Sequence, residues 1–191
     1  MSARTPERLD ELALKLKDES FLSRKGLGNE VSVWIFDYDP ADELLVRQFI
    51  RQQVERSQLP GSVGRIAGFD LYELAMEIAE RKGVLDRFES MEETRGPEYL
   101  LEAMRSILQA SEFVSLMNER ITDESLVFIT GVGRVWPLVR SHTILNNLGG
   151  RLDSLPVVLF FPGSYDGLSL QLFNILDDDN YYRAFQAVPT R

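Results

Sequence analysis

The sequence predicts an α/β domain: a mostly parallel central sheet of about five strands with helices on both faces, layered like a Rossmann or P-loop protein but without a Walker A motif. Three observations predict it. Runs rich in β-branched and aromatic residues recur at 31–36, 65–69, 126–129 and 157–161, and segments with helical periodicity lie between them. The runs empty into capping or turn-forming residues, Asp37, Asp70, Thr130-Gly131 and Pro162-Gly163, so four separate segments are expected to converge on the carboxyl edge of one sheet. A chain of 191 residues accommodates this as a single domain with one buried core.

Taken in order, a first helix starts at Thr5-Pro6, threonine as N-cap and proline at the first helical position, with Leu9, Leu12 and Leu16 as its apolar stripe and a stop before Gly26 and Gly28. The strand at 31–36 follows, ending at Asp37-Tyr38-Asp39, and Pro40 opens a helix through about Gln58. A weaker strand at 65–69 leads into a helix at 71–81 striped by Leu71, Leu74 and Ile78. Residues 84–121 stay helical apart from a break at Gly96-Pro97. After the third strand, a helix is expected over 137–148, closed by Gly149-Gly150. The strand at 157–161, a short amphipathic helix at 168–176 and a final strand at 181–188 complete the chain.

Charge narrows the functional classes. Twenty-one basic residues stand against thirty acidic ones, a net charge of -9, which disfavours generic binding to nucleic acid or to an anionic membrane. The surplus is uneven: sixteen basic and twenty-four acidic residues lie in 1–123, five and six in 124–191, while 125–152 carries three arginines, Arg134, Arg140 and Arg151, and no carboxylate. The absence of cysteine excludes disulfides, thiolate metal sites and cysteine nucleophiles. No apolar run approaches the length of a bilayer span and the amino-terminal residues are polar, so the expectation is a cytoplasmic protein with no leader and no membrane association.

The chemistry-bearing strings carry two readings each. Gly131-Val-Gly133, between a strand and a helix, is first a tight turn; alternatively its backbone could approach a phosphate, although no lysine follows Lys82 and a Walker A loop is absent. Asp37-x-Asp39 caps the following helix, or supplies the nucleophile and acid/base of a haloacid-dehalogenase-like phosphatase, with Thr130 and Asp177-Asp178-Asp179 as further motifs. That enzyme class also needs a lysine, and between Thr130 and the aspartates only Arg134, Arg140 and Arg151 are available. His142, the lone histidine, falls on the inward stripe of its helix, and Asn146-Asn147 are placed to satisfy the last helical carbonyls or to recognise a ligand. Tyr181, Tyr182, Arg183 and Phe185 alternate along the final strand, where an exposed Tyr/Arg pair would suit an interface.

Several strings taken together resemble the BrxB family of bacteriophage exclusion (BREX) systems: Gly26-Leu-Gly-Asn-Glu30, Ile35-Phe-Asp-Tyr38, Thr130-Gly-Val-Gly133, Arg140-Ser-His-Thr143, Leu145-Asn-Asn-Leu148, Pro156-Val-Val-Leu-Phe-Phe-Pro-Gly163, Tyr165-Asp-Gly167 and Asp178-Asp-Asn-Tyr-Tyr-Arg-Ala-Phe185. They cover nearly the whole chain in the same order. The resemblance implies a non-enzymatic interaction or assembly subunit in antiphage defence, working beside a DNA methyltransferase, a large ATPase and, most directly, a phosphatase-like PglZ protein. It implies no catalytic residue, cofactor or metal. The expected interaction or ligand surface therefore comprises Asp37, Tyr38, Gly131, Gly133, Arg134, Arg140, His142, Asn146, Asn147, Gly163, Tyr165, Asp178, Tyr181 and Arg183. Docking is expected through the 131–147 segment and the 163–185 region, with direct nucleic-acid binding not expected and a phosphate- or nucleotide-handling enzyme as the alternative.

Overall fold

A computed structural model describes residues 5–18, 21, 33–60, 62, 64–178 and 184–189. At its centre β1 (Val33–Tyr38) is buried along its full length, as a strand covered by helices on both faces must be. It pairs in parallel with β4 (Val157–Tyr165), from Val33 against Val157 to Tyr38 against Pro162. Beyond β4 come β3 (Leu126–Thr130) and the edge strand β2 (Ile66–Asp70), also parallel, with Asp70 abreast of Thr130. On the other side of β1 the short β7 (Phe185–Gln186) pairs with Trp34 and Ile35. The parallel order is thus β2-β3-β4-β1-β7, with an antiparallel hairpin of β5 (Leu170–Leu172) and β6 (Leu176–Asp178) attached to the end of β4.

Alternate residues of each strand build two apolar layers. One face of the sheet, including Trp34, Phe36, Leu126, Phe128, Val158 and Phe160, packs against α1 (Thr5–Lys15) and α2 (Glu43–Ser57) through Leu9, Leu12 and Val46. Phe160 sits between Phe36 and Phe128, ring centroids 5.6 and 5.0 Å away. The opposite face, including Ile35, Val127, Ile129, Val157 and Phe161, meets α3 (Leu71–Arg81) and α6 (Ala110–Arg120) through Leu74, Ile78, Phe113 and Met117. Between these two helices α4 (Phe88–Arg95) and α5 (Pro97–Ile107) meet at the expected Gly96-Pro97 break. A second break precedes α6, where Leu108 turns into the core.

Two expectations need correction. The single helix foreseen at 137–148 shortens to α8 (Ser141–Asn146), preceded by a turn and by an unforeseen four-residue α7 (Val132–Val135). Pro137 ends α7, since it lacks an amide hydrogen and holds the preceding Trp136 in extended backbone, with ψ 138°; Arg140 is extended too, with ψ 140°, so α8 begins only at Ser141. The helix foreseen at 168–176 is the β5–β6 hairpin, turned by Phe173 and Asn174 at φ 56° and 59°. Leu170 and Leu172 face inward around Gln171, the period of two of a strand. The five parallel strands match the expected sheet, and the hairpin adds two antiparallel ones, seven in all among the described residues. The amino-terminal part of the strand at 31–36 and residues Gly26 and Gly28 lie outside the described residues, as do Tyr181, Tyr182 and Arg183 of the final strand, of which Phe185–Gln186 is the described part. No helix among the described residues is long and apolar enough to cross a membrane.

Candidate interaction surface

The carboxyl ends of the strands do converge, but their residues divide into buried struts and an open surface. Asp37 is a strut. Its carboxylate Oδ1 accepts from Arg8 Nη2 at 2.6 Å, its Oδ2 from the Tyr165 amide at 3.2 Å, and the pair is buried, at 3% and 5% side-chain exposure. Arg8 also donates to the carbonyls of Asp37 and Val188. Helix capping falls instead to Asp39, which accepts from the Ala41 amide at 2.9 Å. Strand order separates Asp37 from Thr130, since β4 lies between their strands and imposes two strand spacings, about 10 Å. Thr130 turns its hydroxyl to Asp70 Oδ2 at 3.2 Å.

Tyr38 is likewise committed within the fold. Its hydroxyl donates to Glu43 Oε2 at 2.5 Å, and Glu43 Oε1 accepts from Arg47 Nε at 2.7 Å. Burial, reinforced by the Glu43 contact, pushes the Tyr38 phenol above its ordinary value, and the hydrogen bond that Arg47 donates to Glu43 raises Arg47. Across a groove of about 470 Å3, Asp70 caps α3 through the amides of Tyr72 and Glu73 and pairs with Arg134, whose guanidinium lies 5.1 Å from the Tyr72 ring centre. Gly131 makes this possible. It adopts φ +76°, and a Cβ there would lie 2.4 Å from Asp70 Oδ1. The glycine-rich turn thus holds a carboxylate of the chain itself where the phosphate reading would have put an anion.

Gly133, Gly163 and Tyr165 join the 131–147 segment to the hairpin. A Cβ on Gly133 would lie 2.7 Å from Phe173 Cζ, so its lack of a side chain lets α7 press on the hairpin turn. At Gly163 a Cβ would fall 2.0 Å from Gln171 O, so β4 and β5 approach closely only with glycine there. Tyr165 is buried and its hydroxyl donates to Ala184 O at 2.8 Å, anchoring the chain just before β7.

A second open groove, of about 260 Å3, lies between α7, the 136–140 turn and the hairpin. Trp136 and Ile175, 41% and 76% exposed, stand on its walls with Arg140, above a floor that includes Val132, Phe161 and Leu172. Arg140 is exposed and its guanidinium has no hydrogen-bond or ion-pair partner among the described residues, while Asp177 in the same wall is held by Gln171 Nε2 at 2.7 Å. On α8, His142 is half-buried, and Asn147 donates to Thr143 O at 2.8 Å, one of the last helical carbonyls; Asn146 is exposed. The side chain of Asp178, with Tyr181 and Arg183, lies outside what the structure describes.

The structure therefore brings together the described parts of the two segments expected to dock a partner, and buries Asp37, Tyr38 and Tyr165 in their support, while Gly131 lines the larger groove. Trp136 and Ile175 were not foreseen. A tryptophan placed before a proline, and an isoleucine directly after the Asn174 turn position, were the available signals, since both sit in turns where a large apolar side chain has little core to enter.

Comparison with known proteins agrees with the strings quoted above. The family model for BREX protein BrxB matches residues 67–187, a span running from β2 through the open groove to β7. BREX protein BrxB of Bacillus cereus (strain H3081.97) is 49% identical over 189 residues, covering 97% of this chain and 98% of that protein. BREX protein BrxB of Escherichia coli O9:H4 (strain HS) is 28% identical over 184 residues, 95% and 90% of the two chains. No solved structure matches. On this family match and near full-length identity, the chain belongs to the BrxB family of BREX proteins.

Proposed function

We propose that the chain is a non-enzymatic subunit of a BREX antiphage defence system, acting as an assembly component that docks a larger partner, of which a PglZ-type protein is the first candidate. The observation that carries this is the groove of about 260 Å3: two segments far apart in sequence meet to expose Trp136 and Ile175 beside Arg140, whose guanidinium has no partner among the described residues. Tryptophan and arginine are the side chains most enriched among residues that dominate binding energy at protein interfaces. Support also comes from Asp37, whose two carboxylate oxygens are taken up by Arg8 and a backbone amide, an arrangement unlike that of a nucleophile awaiting a phosphoryl group.

The test is co-purification of the tagged chain with the products of its gene cluster, comparing wild type with Trp136→Ala and Arg140→Ala. A stable complex in wild type, lost in variants that keep their circular dichroism and melting temperature, is the expected result. Wild-type protein that purifies alone, together with phosphatase turnover abolished by Asp37→Asn, would overturn it in favour of the enzyme reading.

A further inference from the structure

We infer that the groove beside Arg140 takes a linear acidic-hydrophobic segment of the partner: a carboxylate received by Arg140, and a large apolar side chain next to it seated between Trp136 and Ile175. This rests on the docking role proposed above and adds the chemistry of what docks.

Arg140 stands on a ridge between two concavities. It lines the groove of about 260 Å3 shared with Trp136, Ile175 and Leu176, and a second hollow of about 290 Å3 shared with Arg105, Gln109, Pro137 and Leu138. The other long polar side chains of the second hollow are committed. Arg105 Nη2 donates to Pro137 O at 3.0 Å, and Gln109 Nε2 donates to Arg105 O at 2.8 Å within its own helix. The two other arginines of this stretch are committed too, Arg134 to Asp70 and Arg151 to Ile121 O at 2.5 Å. Arg140 alone among these four has all its side-chain donors unassigned among the described residues.

Its backbone, by contrast, is held: Arg140 precedes α8, and its carbonyl accepts from the amides of Thr143 and Ile144 at 3.1 and 3.4 Å. An uncommitted guanidinium on a held backbone presents a fork suited to a carboxylate.

Charge and shape then choose the occupant. The chain as a whole is at -9, yet 125–152 contains three arginines and no Asp or Glu, so an acidic segment is repelled by most of the molecule and accepted here. A polyanion such as nucleic acid would need a row of uncommitted cations, and among the described residues this ridge offers one, with apolar walls on its Trp136 side. Among the described residues, the carboxylate lining the groove, Asp177, is tied to Gln171. A peptide carboxylate beside an apolar side chain satisfies both the guanidinium and the Trp136–Ile175 walls.

The experiment uses the full chain and an array of short overlapping peptides tiling the proteins encoded in the same cluster, followed by fluorescence anisotropy on the peptides retained. Retained peptides are expected to place Asp or Glu within a few residues of a large apolar side chain. Arg140→Gln, with an unchanged melting temperature, should weaken them roughly thirtyfold or more, the loss expected of a hot-spot residue. Arg140→Lys should recover part of that loss, and Asp→Asn or Glu→Gln in the peptide should weaken wild type but leave Arg140→Gln unaffected.

Retained peptides with no acidic requirement, or equal affinity for wild type and Arg140→Gln, would overturn the inference. So would a partner that co-purifies while no peptide binds, an outcome that leaves the docking role standing and removes only the linear-segment chemistry. Binding of a phosphorylated or nucleic-acid probe in preference to the carboxylate peptides would also overturn it. A wild-type chain that captures no partner overturns the docking role and this inference with it.

Discussion

Replacing Arg8 by methionine should destabilise this domain severely, because the substitution leaves the Asp37 carboxylate buried with its main counter-charge gone. Arg8 and Asp37 meet at 2.6 Å with side chains 3% and 5% exposed, and Arg8 further donates to the carbonyls of Asp37 and Val188. Breaking a buried pair from one side costs about 3–5 kcal/mol. Against a typical total of roughly 5–15 kcal/mol, this is a large share of the stability. For a chain of this length it corresponds to a fall of roughly 6–20 °C in Tm.

The pair need not be a net stabiliser relative to apolar residues. Arg8 Nε is buried with no hydrogen-bond partner among the described residues, and desolvation of both charges offsets much of their attraction, although the guanidinium does lie 4.8 Å from the Phe36 ring centre. Asp37→Asn keeps an acceptor for the Tyr165 amide while removing the charge, so Arg8→Met combined with Asp37→Asn should be clearly less destabilised than the sum of the two single variants. Urea unfolding followed by circular dichroism, with the four proteins forming a double-mutant cycle, measures the coupling. A loss below about 1 kcal/mol for Arg8→Met, or strict additivity in the cycle, would refute the argument that this ion pair ties α1 and the end of β7 to β1.

Gly131→Ala should cost about 1–3 kcal/mol, since φ +76° is unfavourable for alanine and the new methyl would overlap Asp70; thermal melts check the loss, and Asp70→Ala in the same chain should relieve the steric part of it. Tyr38 yields a pH dependence. Its proton is held more tightly in the folded state than in the unfolded one, so the native chain binds more protons above the ordinary tyrosine value and stability must fall as pH rises beyond about 10. Tyr38→Phe should flatten that alkaline decline in urea titrations run across the range. By contrast, Arg120→Ala should change stability by less than about 1 kcal/mol and lose even that in high salt, because Arg120, Glu77, Arg81 and Glu119 form an exposed network between α3 and α6.

The layering of this fold was legible in the chain because parallel strands buried on both faces leave continuous apolar runs, and helices that cover them leave stripes at their own period. Leu9, Leu12, Leu74, Ile78 and the runs ending at Asp37, Asp70 and Thr130 all fell in the elements they announced. The errors arose where short segments carry little periodicity. Three residues per strand are too few to distinguish β5 and β6 from a turn of helix, and the extended backbone at Arg140 that delays α8 to Ser141 leaves no mark on the apolar stripe of 137–148.

Residue types and local spacing established the parallel α/β architecture, the acid-free stretch at 125–152 and the family strings. They did not establish which aspartate is buried against Arg8, which one receives Arg134, or that Trp136 would meet the Ile175 turn across an open groove. Those pairings join residues separated by dozens of positions, and they follow from strand order and from helix placement against the sheet. Local patterns carry the period of a segment; its neighbours depend on how all the apolar faces are buried at once, which is a property of the packed chain.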